Sequence, residues 1–219
     1  MLIPRLDILP APQRQLWDDL DQIPPGFVLY GGTALALRLG HRASEDFDFF
    51  SNDPFRPDEL ERLIPFLAHA PRLQSSPNTL VSLVERDGPV KVSFFGGLTL
   101  RRVNDPDPVD GPGLFVASLM DLAATKVRVV QDRAEAKDYI DLSCLLAEGI
   151  DLARALSAAG AVFGEAFNPL LSLKALSYFG DGDLSSLPDA IRSRLTEAAR
   201  RVDPAGLPEI QPRPQGIAL

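Results

Sequence analysis

A stretch rich in proline, aspartate and glycine, NDPDPVDGPG at residues 104–113, divides this sequence into two parts of different character. Before it, short runs with the composition of strands alternate with short helical patterns. After it, from Ser118 onward, apolar residues recur at helical spacing in five successive stretches. This change predicts an α+β chain: an α/β domain with a short mixed sheet over residues 1–115, and a helical domain over residues 116–219.

The first part carries clear strand, helix and turn signals. FVLYGG predicts a buried strand that ends in a glycine turn, and TALALRLG predicts a helix from Thr33 to Gly40. FDFF has strand composition. NTLVSLVERD and VKVSFF flank an Asp-Gly-Pro turn, which predicts a β-hairpin. GGLTLRRV, residues 96–103, predicts a further strand.

The composition limits the class of protein. With 30 acidic and 22 basic residues the net charge is −8, which argues against non-specific binding to nucleic acid. A local basic strip remains open, and its candidates are the pairs Arg101–Arg102 and Arg200–Arg201 and the cluster Lys126, Arg128, Arg133 and Lys137. The single cysteine, the lack of a signal-peptide pattern and the lack of an apolar run of about 20 residues predict a cytoplasmic protein without a membrane span.

Two carboxylates stand one residue apart in the stretch SEDFDFF. Residues i and i+2 of a strand point to the same face, so Asp46 and Asp48 would project together, with the phenylalanines pointing into a core. Two such charges repel each other unless a cation lies between them. Mg²⁺ prefers oxygen ligands of this kind and fills its other positions with water and phosphates. The pair predicts a Mg²⁺ site; the alternative is two solvated acids at a strand end.

A glycine pair precedes the acids and predicts a phosphate site. Glycine lets backbone N–H groups approach phosphate oxygens, and the following helix contributes the positive end of its dipole. We therefore expect Gly31, Gly32 and Thr33, together with Ser44, to bind nucleotide phosphates. A tight turn without a ligand would use the same two glycines.

The whole stretch GGTALALRLGHRASEDFDFF resembles the signature of the nucleotidyltransferase superfamily, a glycine turn followed by Asp-x-Asp on the next strand. More narrowly, it resembles the AbiEii/AbiGii toxin family, which includes the MenT-type toxins. The likeness covers residues 28–146 and extends to Lys126 and to KDYIDL. It implies a nucleotidyltransferase-like N-terminal half, catalytic roles for Asp46, Asp48, Lys126 and Asp138, and contact between Lys126 and the nucleotide.

The resemblance also implies a function. The chain would be the toxin of a toxin–antitoxin pair, using Mg²⁺ to transfer NMP from NTP to an acceptor such as a tRNA 3′ end, with a separately encoded antitoxin as partner. Transfer to a small molecule or a protein is the alternative that better suits the net charge of −8. A catalytically weakened module that binds nucleotide or protein is the other alternative.

One departure from the superfamily pattern concerns the metal. Many nucleotidyltransferases carry a third metal-binding carboxylate on a later strand, and in VKVSFF this position holds Ser93, a poor ligand for Mg²⁺. Either another acid, Asp138 or Glu85, takes its place, or one metal site is weak.

The helical part places charges on inward faces. Helical periodicity puts Lys126 and Asp138 on the apolar stripes of their helices, where charges are costly unless paired. They either form a buried ion pair or both face a cleft, with Lys126 near phosphates and Asp138 near the acceptor hydroxyl; we favour the cleft. Lys137 and Asp141, four residues apart, are expected to form a surface pair.

Overall fold

A mixed sheet organises the N-terminal part of the chain in the computed structural model, which describes residues 1–218. The strands in this range are β1 (Val28–Tyr30), β2 (Asp46–Phe50), β3 (Arg72–Ser76), β4 (Thr79–Glu85), β5 (Pro89–Phe95), β6 (Asp107–Pro108) and β7 (Phe115–Val116). Their order across the sheet is β3-β4-β5-β2-β1-β7-β6. β2 pairs in parallel with β5, and β1 in parallel with β7, whereas the other neighbours are antiparallel. The predicted mixed sheet is confirmed.

The central strand β2 shows why the sheet adopts this register. Phe47 and Phe49 alternate with the two acids and are both fully buried. Phe49 stacks on Phe94 of β5, with ring centroids 5.4 Å apart. Burial of each such side chain contributes about 1.5–3 kcal/mol. A slip of one residue would bring the two carboxylates into this core, so the alternation fixes the register of β2.

The helices beside the sheet are α1 (Ala11–Leu16), α2 (Gly31–Leu39) and α3 (Pro57–Leu63). α2 begins two residues before the predicted start at Thr33. It ends at Gly40 as predicted, because this glycine adopts a φ of 62° and its amide donates to the carbonyl of Ala36 at 2.8 Å. β4 and β5 pair in antiparallel fashion around the turn at Asp87, which confirms the hairpin.

The prediction of a strand over residues 96–103 is wrong. No strand is formed there; instead, the Leu98 amide donates to the carbonyl of Ser51 at 3.2 Å. The side-chain amide of Asn52 donates to the carbonyls of Leu98 and Leu100, at 2.6 and 2.9 Å. A side chain thus satisfies backbone groups that a neighbouring strand would otherwise pair.

Three short or exposed strands were not predicted. Every residue of β3 is exposed, so this strand lacks the apolar alternation by which a strand is recognised. β6 and β7 are two residues long each and lie within and just after the stretch interpreted as a loop. Their sequences are too short to carry a periodic signal.

The C-terminal part is helical, as predicted. Its α-helices within the described range are α4 (Leu119–Val129), α5 (Ala136–Ala147), α6 (Leu152–Phe163), α7 (Pro169–Ala175) and α8 (Asp189–Arg201). Each corresponds to one of the helical stretches of the sequence. Side chains cap two of them: Asp151 accepts from the Arg154 amide at 2.9 Å, and Asn168 from the Leu170 amide at 3.0 Å.

The chain forms two compact units. The first contains residues 1–100 and 105–118 and the chain from Gln215 onward; the second contains residues 101–104 and 119–214. The predicted domain boundary between residues 115 and 116 lies close to the passage from Ser118 to Leu119 and stays a prediction. The return of the C-terminus was not predicted: Ile217 is buried, and its amide donates to the side chain of Asn52. No helix within residues 1–218 has both the length and the apolar character needed to cross a membrane.

Candidate active site

The two predicted acids lie side by side on one face of β2. Asp46 pairs across the strands with Lys91 of β5, and Asp48 with Ser93. Both carboxylate residues are half-buried, whereas Phe47 on the other face is fully buried. The strand therefore has one dry face and one face on which two carboxylates are held together, as its alternation predicted.

The first glycine of the turn lies directly beneath one of these carboxylates. Tyr30, at the end of β1, is the cross-strand partner of Asp48, and Gly31 follows it with a φ of 75°. A methyl group placed on Gly31 would lie 2.7 Å from Oδ2 of Asp48. Both the backbone conformation and the close approach of the carboxylate thus require glycine here.

The second glycine lies against a hydroxyl and a guanidinium. A methyl group on Gly32 would lie 2.7 Å from Oγ of Ser44 and 2.8 Å from Nη2 of Arg42. The side chain of Tyr30, the residue before α2, does not cap this helix, which begins at these glycines. The backbone N–H groups, the dipole of α2 and Arg42 all favour a negative charge at this point. The arrangement suits a phosphate group.

Thr33 positions the acid pair through the backbone. Its side chain is buried, and its hydroxyl donates to the carbonyl oxygen of Asp46 and lies 3.5 Å from that of Ser44. This contact ties the start of β2 to the first turn of α2. The predicted contact between Thr33 and a phosphate stays a prediction, since the described partners of its hydroxyl are backbone carbonyls.

The donor set on β2 fits a divalent cation that keeps some of its water. Two half-buried carboxylates on one face provide the one or two oxygen ligands that Mg²⁺ takes from proteins. Within residues 1–218, no group of three or more His, Cys, Asp or Glu side chains could share one ion. Ser93, opposite Asp48, is buried and neutral. Glu85, proposed as a substitute, is exposed at the hairpin end and accepts from the Gly88 amide at 2.7 Å.

Two cations of this site were missed from the sequence. Lys91 places its ammonium 2.7 Å from Oδ2 of Asp46. Arg42 lies over the glycine turn and also donates to the carbonyl of Ala43 at 2.9 Å. The alternation of VKVSFF was a usable signal for Lys91, because it places this lysine on the same strand face as Ser93. For Arg42 the only signal was its place between the glycine turn and the acids.

In the second unit, Lys126 occupies a buried cluster of charges. Its ammonium lies 2.7 Å from Oδ1 of Asp138 and 2.6 Å from Oδ2 of Asp141, and both carboxylate side chains are fully buried. Arg133 donates to Asp138 at 2.8 Å from the other side. The buried ion pair, the alternative that was not favoured, is therefore present, and only 6% of the Lys126 side chain is exposed where an open cleft was expected.

The cluster also changes the expected pairing of Asp141 and sets the charge state of Asp138. Asp141 does not pair with Lys137 at the surface; it is fully buried against Lys126, and Lys137 instead contacts Glu135 at 2.8 Å. Burial raises the pKa of Asp138, but the hydrogen bonds from Arg133 and the charge of Lys126 outweigh it, so the net pKa lies below its ordinary value. Asp138 is thus held as an ion.

Three of the basic side chains predicted for a strip are engaged by acidic neighbours. Arg128 pairs with Asp132 at 2.6 Å, and Arg133 with Glu135 as well as with Asp138. Lys126 is buried. Acidic neighbours therefore neutralise several of the cations that a bound polyanion would need.

Comparison with known proteins identifies similar chains. A family model described as nucleotidyl transferase AbiEii toxin, type IV TA system, matches residues 15–213. An uncharacterized protein of Aquifex aeolicus, aq_aa25, is 38% identical over 122 residues, which is 55% of this chain and 57% of that protein. The chain thus spans little more than half the length of this curated relative.

Two solved structures share the fold at 18% sequence identity. A candidate nucleotidyltransferase from H. pylori superposes with a TM-score of 0.55, covering 86% of this chain and 91% of that one. MenT4, a nucleotidyltransferase toxin from Mycobacterium tuberculosis H37Rv, superposes with a TM-score of 0.56, covering 85% and 82%. These similarities confirm the nucleotidyltransferase-like α+β fold.

Proposed function

This chain belongs to the AbiEii nucleotidyltransferase toxin family, and on that premise we propose that it is the toxin of a toxin–antitoxin pair that transfers NMP from NTP to an acceptor. The observation that carries the proposal is the juxtaposition, within one unit, of Asp46 and Asp48 with the Gly31–Gly32 turn. A metal–triphosphate complex needs carboxylates to bind the metal and, beside them, backbone N–H groups that can bind phosphate oxygens.

The residues of the first unit have separate roles in the proposed reaction. Asp46 and Asp48 hold Mg²⁺, which when bound there supplies charge neutralisation for the triphosphate. The N–H groups of the glycine turn and the hydroxyl of Ser44 hold phosphate oxygens, and Arg42 adds a positive charge beside them. The oxygen of the acceptor hydroxyl bonds to the α-phosphorus and releases its proton to solvent, while the bond from the α-phosphorus to the pyrophosphate oxygen breaks and pyrophosphate leaves with its electrons. Catalysis then rests on positioning and electrostatic stabilisation.

The proposal keeps Lys126 and Asp138 as catalytic residues, which requires their buried cluster to open. In the described geometry the ammonium is engaged by two carboxylates. Direct contact with a phosphate requires this cluster to open, whereas a positioning role for α4 and α5 does not. Both roles predict a loss of stability when Lys126 is removed, but they predict different rates of transfer once a second substitution restores the fold.

Two classes of acceptor compete. The toxin family favours an RNA acceptor such as a tRNA 3′ end, and its type IV description supports a separate antitoxin as partner. The neutralised basic side chains of the second unit and the net charge of −8 favour a small molecule or a protein instead. We therefore place the tRNA 3′ end first on family grounds and test the other acceptors beside it.

The test is transfer of label from each of the four α-labelled NTPs with Mg²⁺, in separate incubations with total RNA, purified tRNA, a protein extract and a metabolite extract. We expect wild type to label one acceptor class and Asp48→Asn to label none while keeping its fold. Asp110→Asn, an exposed aspartate of the same unit, is the matched control and should label as wild type does. Equal labelling by the Asp48 variant and wild type at saturating Mg²⁺ contradicts the metal role.

A further inference from the structure

The patch around the acid pair contains a cation of its own. β2 and β5 are parallel neighbours, and the register places Asp46 beside Lys91 and Asp48 beside Ser93. Residues paired in this way point to the same face. The patch is therefore two carboxylates on one strand, with an ammonium and a hydroxyl on the next.

The ammonium of Lys91 engages the oxygen that a second ion would need. It lies 2.7 Å from Oδ2 of Asp46, and the two side chains are 39% and 35% exposed, so the pair borders the open face of the strand. In two-metal sites the ions lie about 3.5–4 Å apart and need carboxylate oxygens for both. Here one such oxygen already binds a cation.

The neighbouring position cannot supply the missing ligand. Ser93 lies opposite Asp48 and is buried, and its neutral hydroxyl replaces the charge of a carboxylate. No third acid among the described residues joins the pair to form a metal-sized cluster. With Lys91 counted, these four strand residues carry a net charge of −1, and Arg42 at the neighbouring glycine turn adds a further positive charge. This balance suits one divalent ion far better than two.

We propose that Lys91 is a positioning residue whose ammonium replaces the second metal ion, so that this chain binds one divalent cation at Asp46 and Asp48 and not two. This inference rests on the proposed function, because it assumes that the acid pair holds a metal. Lys91 fixes one oxygen of Asp46, and the ion takes its protein ligands from the other oxygen of Asp46 and from Asp48.

The number of bound ions tests the inference directly. Mn²⁺ replaces Mg²⁺ as the probe, and the complex of the full chain with Mn²⁺ and a non-hydrolysable NTP analogue is freed of excess metal before its Mn²⁺ is counted. We expect one Mn²⁺ per chain and the EPR spectrum of an isolated ion. Two ions per chain with a spin-coupled spectrum overturn the inference, since ions about 4 Å apart interact magnetically.

Variants separate the charge of Lys91 from its packing. Lys91→Ser with Ser93→Asp removes the ammonium and adds the third carboxylate, and should bind two Mn²⁺ with a coupled spectrum. Lys91→Met alone should keep its fold but lose transfer at least about tenfold, one order of magnitude being a barrier change of about 1.4 kcal/mol. Lys174→Met is the control, because Lys174 is an exposed lysine to which the proposed reaction assigns no role.

Failure of the inference differs from failure of the proposed function. If wild type transfers NMP with two ions bound, the function stands and the role of Lys91 is wrong. If Lys91→Met transfers at the wild-type rate, the role is also wrong. If wild type binds no Mn²⁺ even with nucleotide and transfers no label, the metal site and the proposed function fail together.

Discussion

The buried charge cluster gives the sharpest test of how this chain uses its motif lysine. Lys126→Met removes an ammonium that lies 2.7 and 2.6 Å from two fully buried carboxylates. Breaking a buried ion pair costs roughly 3–5 kcal/mol, because the remaining charge keeps its desolvation penalty. Arg133 still binds Asp138 after the change, so the loss should lie within the range for one pair and not double it.

The assay is urea denaturation followed by circular dichroism, with free energies of unfolding extrapolated to water. Lys137→Met is the control: this lysine and its partner Glu135 are 51% and 41% exposed, and the variant should lose about 1 kcal/mol or less. Lys126→Met with Asp141→Asn should then recover a large part of the stability, because the carboxylate left without its ammonium is neutral in the double variant.

The same variants decide between the two roles of Lys126. If the lysine acts only through the fold, the double variant regains nucleotide affinity and transfer together with stability. If the lysine contacts phosphate, the double variant is stable but transfers slowly. A loss of 1 kcal/mol or less in Lys126→Met, equal to that of the control, would refute the reasoning from burial.

Gly31→Ala should lose more stability and nucleotide binding than Gly113→Ala in urea melts and nucleotide titrations. Both glycines have positive φ, 75° and 70°, but only the methyl group at residue 31 meets a carboxylate oxygen, at 2.7 Å. Burial raises the pKa of Asp138, but its cationic partners lower it by more, so the pKa is lower in the folded chain than in the unfolded chain. The contribution of Asp138 to the free energy of unfolding is therefore fully present above the unfolded pKa of about 3.9 and is lost as pH falls through the pKa of the folded state. The stability gap between wild type and Asp138→Asn should therefore shrink in acid titrations below about pH 4. Arg42→Gln should weaken NTP binding in calorimetry without lowering the melting temperature, and Arg62→Gln, an exposed arginine on α3, should change neither.

Local periodicity was enough to predict much of the fold. The alternation around Phe47, the hairpin turn at Asp87 and the helical spacing after Ser118 each specify an element from neighbouring residues alone. The wrong strand at residues 96–103 shows the limit of such reasoning, since its backbone is satisfied by the side chain of Asn52, more than forty residues away in sequence. No local pattern carries that information.

The candidate site likewise has one part that local sequence predicts and one part that depends on residues distant in sequence. The shared face of Asp46 and Asp48 follows from the period of a strand and was predicted. The contact of Asp46 with Lys91 depends on the register between two strands that are distant in sequence, which a single strand does not encode. The burial of Asp141 had a usable signal, because residues three apart on a helix share a face and Asp138 was already placed inward.

Lys91, beside the acid pair, and Lys126, in the buried charge cluster, require different evidence before either is assigned to catalysis. Lys91 is 39% exposed beside one half-exposed carboxylate, so its removal should change the chemistry of the site with little effect on unfolding. Lys126 is buried against two carboxylates, so its removal should destabilise the second unit whatever its role in transfer. Loss of transfer in a Lys91 variant therefore bears on mechanism directly. The same loss in a Lys126 variant bears on mechanism only when the double variant with Asp141→Asn restores the fold and leaves transfer slow.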